Sequence, residues 1–504
     1  MKKRLLAMLL VGVIALGLMA GCGKKGGNEG GDSATDVEIS YWHAGLGVEW
    51  LEVLVKAFNE KHPEYNVYFK GTADMAASTA AFGLENVDTV DLYLAVKKYD
   101  TKYLEPLNEL LDTTIEGESK SIKEKFDASY LAQEELDGKY YTLTYGGGIM
   151  GFVYSKSLFE KVGITQLPRT TDELAVVCAT LYDNDITPLC HFKPNGYYWF
   201  LSETLFAQYN GIDYYYDFYA NPSKEKMTTQ DGRYKVLQAM QKIIKPEYIL
   251  QGSNSDDHVT MQTKFLEGAC GMMFTGSWLS SEMSNSDKVD NFAMMKTPVI
   301  SSITDHLETV KTDMDLRKVV AAIDNVTDGV ETIDTYQKGD HYVVEGKEIS
   351  ATDWDTVKTA RNMLASNYAG ATASIPTYSN AKEGAKEFLK FMYSDEGYQM
   401  YLDTLHIKMP MNLSTGEIDT SKWNAFELNQ AELLNKAEYS INSDIISKHR
   451  VFTDGGAHAF ANLEFVNLFC SHSEADRINA NEAWDRIVAL INDNYDKNWM
   501  ANIK

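Results

Sequence analysis

The chain has 504 residues, 44% of them apolar and 24% charged, with a formal net charge of -25. That is material for two domains at ~100–200 residues each, and so acidic a surface repels nucleic acid and anionic lipid headgroups. Ten histidines and five cysteines with no Cys-x-x-Cys argue against a zinc site and against a disulfide framework.

Met1-Lys2-Lys3-Arg4 is a basic start, and Leu5 to Met19 is an apolar run. A positive flank, a short apolar core and small residues form a secretory signal. The run falls short of the ~20 residues that a transmembrane helix needs. Leu18-Met19-Ala20-Gly21-Cys22 resembles a lipobox, with Met19 where Leu is usual. The expectation is a signal over 1–21, a lipidated Cys22 and a flexible tether over 22–35. A cleaved signal with an incidental cysteine is the alternative. A Cys178–Cys190 bridge is a second possibility for an exported chain, against buried free thiols.

Val37 to Trp42 alternates and is rich in β-formers, so it reads as a strand. Trp50, Leu51, Leu54, Val55 and Phe58 then share one helical face, stopped at Lys61-His62-Pro63. Asn66–Lys70 is a second strand, Thr72–Leu84 a helix, and Val87–Ala95 ends in a third strand. Strand and helix alternating in this way indicate an α/β lobe with a largely parallel sheet. Gly146 to Gly151 formally matches G-x-G-x-x-G, but Phe152-Val153-Tyr154 continues as a strand where a dinucleotide site needs a helix. The glycines read instead as a flexible crossing, and no cofactor is expected. Ser157–Gly163 is a short helix. Thr170 and Glu173 form a capping box for a helix to about Asp183. Phe265–Phe274 reads as helix end, turn and strand, followed by Thr275-Gly276-Ser277-Trp278. Residues 301–370 read as an elaboration of one lobe. Asn380 and Glu383 form another helix start, with a break at Ser394-Asp395, and the last ninety residues look helical.

Taken together and in order, these segments resemble the extracellular solute-binding proteins of ABC importers, family 1, the sugar-binding type. The segments are Val37–His43, Phe58–Pro63, Leu136–Leu174, Phe265–Trp278 and Ile375–Met400. The resemblance implies a two-lobed α/β fold of the periplasmic-binding-protein type (type II), with ligand in the cleft between lobes that are discontinuous in sequence. Crossings would fall near Tyr145–Gly151, Pro298–Ser301 and Leu405–Asn412. Lobe 1 would then hold 36–147 plus 300–405, and lobe 2 would hold 148–299 plus 406–504. It also implies a carbohydrate ligand, permease transmembrane subunits as partners, a monomer without catalysis, and contact with the membrane through the lipid anchor alone.

Within that frame Trp278 is the leading ligand residue. It follows a strand where Gly276 and Ser277 leave room for a ring, and an indole stacks on a sugar face; a core tryptophan is the alternative. Trp42 and His43 follow the first strand, and ligands in open α/β sheets bind beyond the carboxyl ends of strands. Asp91 offers a carboxylate for hydroxyls, or serves as a cap. Tyr145 sits at the crossing. Tyr197, Tyr198 and Trp199 cannot all face one way, so one or two are expected in the cleft. Asp454 lies in a glycine-flanked loop. A secreted glycoside hydrolase is the competing reading and needs two carboxylates across a cleft, but 72 acidic residues leave any pair arbitrary. A binding protein for a non-sugar solute is the other. The 30 Tyr and 8 Trp lean toward sugar.

Overall fold

Val37 to Tyr41 are all buried, on both faces of the strand. A strand wrapped on both faces belongs in the middle of a parallel sheet, and that is where the computed structural model places it. The structure describes residues 34–43, 45–79, 89–95, 101–193, 196–229, 231–283, 288–329, 334–442 and 465–499. Cys22 and Asp454 lie outside the described residues.

Fourteen strands are described, numbered in chain order. They are β1 (Thr35–Trp42), β2 (Tyr65–Thr72), β3 (Leu92–Ala95), β4 (Leu143–Thr144), β5 (Ile149–Ser155), β6 (Leu189–Cys190) and β7 (Met272–Gly276). Then come β8 (Phe292–Met294), β9 (Thr335–Lys338), β10 (His341–Val344), β11 (Lys347–Ser350), β12 (Met363–Ser366), β13 (Thr372–Ser374) and β14 (Tyr439–Asn442). The first sheet has the order β2-β1-β3-β13-β4, parallel through β2, β1 and β3 and antiparallel at β13. The second has the order β14-β12-β5-β7-β6, with β8 also on β5. A third, antiparallel, joins β9, β10 and β11.

The helix Glu49–Lys61 buries Trp50, Leu51, Leu54 and Phe58 on the first sheet, the face its spacing predicts. Thr170 caps the helix Thr171–Asp183 by accepting from Glu173 N–H. Glu173 itself reaches back to the N–H of Arg169, one residue before the cap. The helix Lys382–Met392 starts after Ala381 without a side-chain cap, so Asn380 and Glu383 do not form the expected box. Ser394 does cap the next helix, Asp395–Leu405. The last ninety residues are not wholly helical, because β14 adds to the second sheet beside β12. Cys178, Cys190, Cys270 and Cys470 are buried free thiols.

The chain passes between the sheets at 145–148, from β4 to β5, as the glycine run suggests. It returns at 367–371, from β12 to β13, and not near Pro298–Ser301. There Val299 pairs with Thr170 and Ile300 N–H donates to Gln208, both on the second sheet's side. The described residues of 301–361 therefore stay with the second sheet. Their helices Asp313–Thr327 and Ala351–Arg361 pack on each other, and the second of them packs on the helix Tyr198–Asn210. Arg361 clamps Asp324 with two hydrogen bonds of 3.0 and 2.8 Å.

His191, just beyond β6, is 1% exposed. Its Nε2 lies 2.7 Å from Asn254 Oδ1. Burial pulls its pKa from 6.5 down to about 4. The unfolded chain takes up this proton near pH 6.5 and the native one only near 4. Stability present above pH 6.5 is thus lost as pH falls toward 4, by about 3 kcal/mol for this group. Urea denaturation of wild type and His191→Gln at pH 7, 5.5 and 4.5 is expected to show a shallower pH dependence in the variant.

Candidate functional site

A cavity of about 670 Å³ opens between the first two sheets. Trp42 ends β1, and Ala73 follows the end of β2, so both stand at carboxyl ends of parallel strands. His43, Gly45 and Gly47 continue the same wall. The opposite wall is Tyr197, Phe200, His258, Trp278 and Glu282, set on helix starts and on the turn after β7. Gly147 and Asn367, with Gly370 and Ala371, come from the two crossing segments.

Trp278 is 4% exposed. Its ring folds back over Gly276, where any added Cβ would strike it. Gly276 thus makes room for this indole, the reason for a glycine at that strand end. Tyr197 meets it edge-on at 5.3 Å and 81°. Burial drives the Tyr197 hydroxyl far above its usual range, so it stays a neutral donor and acceptor. On the first wall Trp42 Nε1–H donates to Ala73 O at 3.3 Å. His43 leans on Tyr41 at 5.3 Å. Its Nε2 is buried against Gly71 without a hydrogen-bond partner, and burial lowers its pKa. The ring is therefore a neutral imidazole at pH 7.

Glu282 lies one helical turn after Trp278, on the same face. Gln262 Nε2–H donates to its Oε2 at 2.7 Å, while Oε1 lies against Gly45 of the opposite wall, 2.6 Å from where a Cβ there would stand. Burial raises its pKa above the usual carboxylate range, opposed by the Gln262 bond and by His258.

Other expected residues stand elsewhere. Asp91 is buried and ties a corner: Oδ2 accepts from Glu38 N–H at 3.0 Å, and Oδ1 accepts from Ser379 and Ala381 at 2.6 and 3.2 Å. Tyr145 stacks on Trp50 behind the wall, and its hydroxyl donates to Trp42 O at 2.8 Å. It supports Trp42 from below and does not line the cavity. Successive helical residues point about 100° apart, so Tyr197 alone of its cluster reaches the cleft. Tyr198 is buried against Phe152 and Phe274. Trp199 turns to the Arg233 guanidinium, 5.6 Å away. Phe200, His258, Glu282 and Asn367 are lining residues that the sequence did not single out. Two had a signal in i+3 and i+4 spacing, Phe200 from Tyr197 and Glu282 from Trp278.

The crossing segments are laced at the cavity floor. Asn367 Oδ1 accepts from Gly148 N–H at 2.8 Å, and Asn367 N–H donates to Gly148 O at 3.1 Å. Gly147 has φ of 85°, and a Cβ there would lie 2.8 Å from Asn367 Oδ1. Gly147→Ala is expected to cost about 1–2 kcal/mol from the left-handed backbone alone. The fall in melting temperature measures it, and an unchanged melt would show that this crossing bends freely.

Among the described residues no group of three or more His, Cys, Asp or Glu could hold a metal ion, and no helix is long and apolar enough to cross a membrane. Residues 44–399 match the family model of the bacterial extracellular solute-binding proteins. No curated protein matches the chain. Among solved structures, the chain is similar to the bacterial solute receptor AcbH, with its reported preference for β-D-galactopyranose. Identity is 14% and the TM-score 0.60, over 92% of this chain and 99% of that one. It is similar to a chitin oligosaccharide binding protein at 17% identity and a TM-score of 0.61, over 92% and 99%. It is similar also to the GacH receptor of Streptomyces glaucescens, studied unliganded and with acarbose, at 16% and 0.58, over 91% and 99%.

Proposed function

The chain belongs to the bacterial extracellular solute-binding proteins, and from that premise we propose that it captures a carbohydrate for an ABC importer and hands it to the permease. Its fold is that of the periplasmic-binding-protein-like solute receptors. The observation that carries the ligand class is the cavity wall. Trp42, Tyr197, Phe200 and Trp278 line it with aromatic rings of the kind that stack on apolar C–H surfaces, while Glu282 and His258 supply polar groups suited to hydroxyls. Oligosaccharide-sized ligands suit a cavity of about 670 Å³. The similar structures that name a sugar support the same class.

In this reading the lobes are the described residues of 34–145 with 372–405, and those of 149–366 with 425–442 and 465–499, each carrying one of the two larger sheets. They close on ligand about the laced crossings, and closure presents a new surface to the permease. Cys22 carries acyl chains that hold a monomer at the outer face of the cell membrane. The protein is a receptor and not an enzyme.

A thermal-shift screen of the purified protein against mono- and oligosaccharides tests the reading. A ligand that binds only the folded form raises the melting temperature by mass action. A clear rise with one sugar series is the expected result. No rise with any sugar, but a rise with peptides or amines, would move the ligand class. Sugar consumed in the assay would replace the receptor with a glycoside-active enzyme.

A further inference from the structure

Glu282 is the described carboxylate among the residues that line the cavity, and its setting is unusual for a charged group. It is held from behind by the neutral amide of Gln262, at 2.7 Å, and no ion pair of Glu282 is formed with a described lysine or arginine. Its second oxygen lies against Gly45 on the far wall, 2.6 Å from where a Cβ would stand, so the absent side chain is what gives the carboxylate its place at the cavity edge. Beside it stand Trp278, its i−4 neighbour, and Tyr197, which packs on that indole. Titratable groups facing Glu282 from neighbouring elements are His258 and the Tyr197 hydroxyl, and burial leaves the carboxylate poorly hydrated. A desolvated carboxylate flanked by aromatic faces attracts an ammonium in two ways, by charge and by the negative faces of the rings. The same group repels a second carboxylate brought against it.

Resting on the carbohydrate reading above, we propose that Glu282 sets the charge selectivity of the site: it favours a sugar bearing an amino group over a neutral sugar, and a neutral sugar over a uronic acid. Neutral sugars keep the ring stacking and give Glu282 a hydroxyl in place of the ammonium.

The test uses three probe series, chitosan oligosaccharides, chitin oligosaccharides and oligogalacturonates, titrated calorimetrically at pH 7 into wild type and Glu282→Gln. The variant keeps the side chain's shape, and a melting temperature close to wild type shows that it folds. Wild type is expected to bind the amino series about tenfold tighter than the acetylated one, and the uronate series weakest. Glu282→Gln is expected to shrink the amino-over-neutral ratio to near unity and to improve uronate binding. Tighter binding of the uronates than of the neutral series overturns the proposal and leaves the carbohydrate reading intact. An unchanged ratio in Glu282→Gln overturns it in the same way. Failure of all three series, alongside failure of every sugar in the thermal screen, overturns both.

Discussion

Trp278→Ala is expected to weaken capture of the preferred sugar by at least about thirtyfold, the loss of a buried aromatic anchor at the centre of a binding surface. The ring stands between Gly276 and Tyr197, so its position is fixed before any ligand arrives. Truncation removes the stacking face and also frees Tyr197 from its edge-on neighbour. Calorimetric titration at a temperature where the variant is folded gives the number. Trp278→Phe should recover much of the loss, since a smaller ring still stacks. Affinity within threefold of wild type in the alanine variant would place the indole in the core alone and move the stacking role to Trp42.

The largest effect on stability is expected at Glu203. Its carboxylate pairs with Arg233 at 2.5 Å, both side chains being almost wholly buried. Tyr219 bridges them, donating to Glu203 Oε2 and accepting from Arg233 Nη2, each at 2.5 Å. The guanidinium also lies 3.8 Å from the centre of the Phe206 ring. Glu203→Ala leaves that cation buried with its main partner gone, a cost of about 3–5 kcal/mol. Changing both residues to apolar ones of similar size should cost much less, because the desolvation of both charges is then relieved. Urea denaturation of the single and double variants separates the two outcomes. A loss below 1 kcal/mol in Glu203→Ala would mean that water reaches the pair.

Local chemistry was readable wherever it settles local structure. Thr170 caps its helix, and the glycines at 146–148 carry the chain from one sheet to the other, because turn and cap preferences act over a few residues. Trp278 and Tyr197 line the cavity because each stands at the start of a helix, where a strand end or a turn hands over, and that position is legible locally. Asp91 carried the same local signature and does different work. What separates it is Ala381, 290 residues along the chain, and no local pattern reports that distance. Glu282 was passed over for the opposite reason: among 72 acidic residues a carboxylate stands out only through its i+4 spacing from Trp278, and that spacing counts only once Trp278 is known to line the cavity. The second crossing was displaced because Pro298–Ser301 looks like a linker, while Gln208 and Thr170 fasten it to the second sheet.

The sheet order also constrains when the protein can become folded as it is made. β4, at 143–144, finds its neighbour in β13, at 372–374, and β5 finds β12 at 363–366. β14, at 439–442, then completes the edge beyond β12. A growing chain holding only its first three hundred residues therefore lacks strands that both sheets need. Neither half can finish early and wait for the other. Closing such long loops is slow, because their entropy is lost before the pairing returns anything. For a chain of an extracellular family, late completion keeps both sheets unfinished, and the chain able to pass a narrow channel, until most of it has been made.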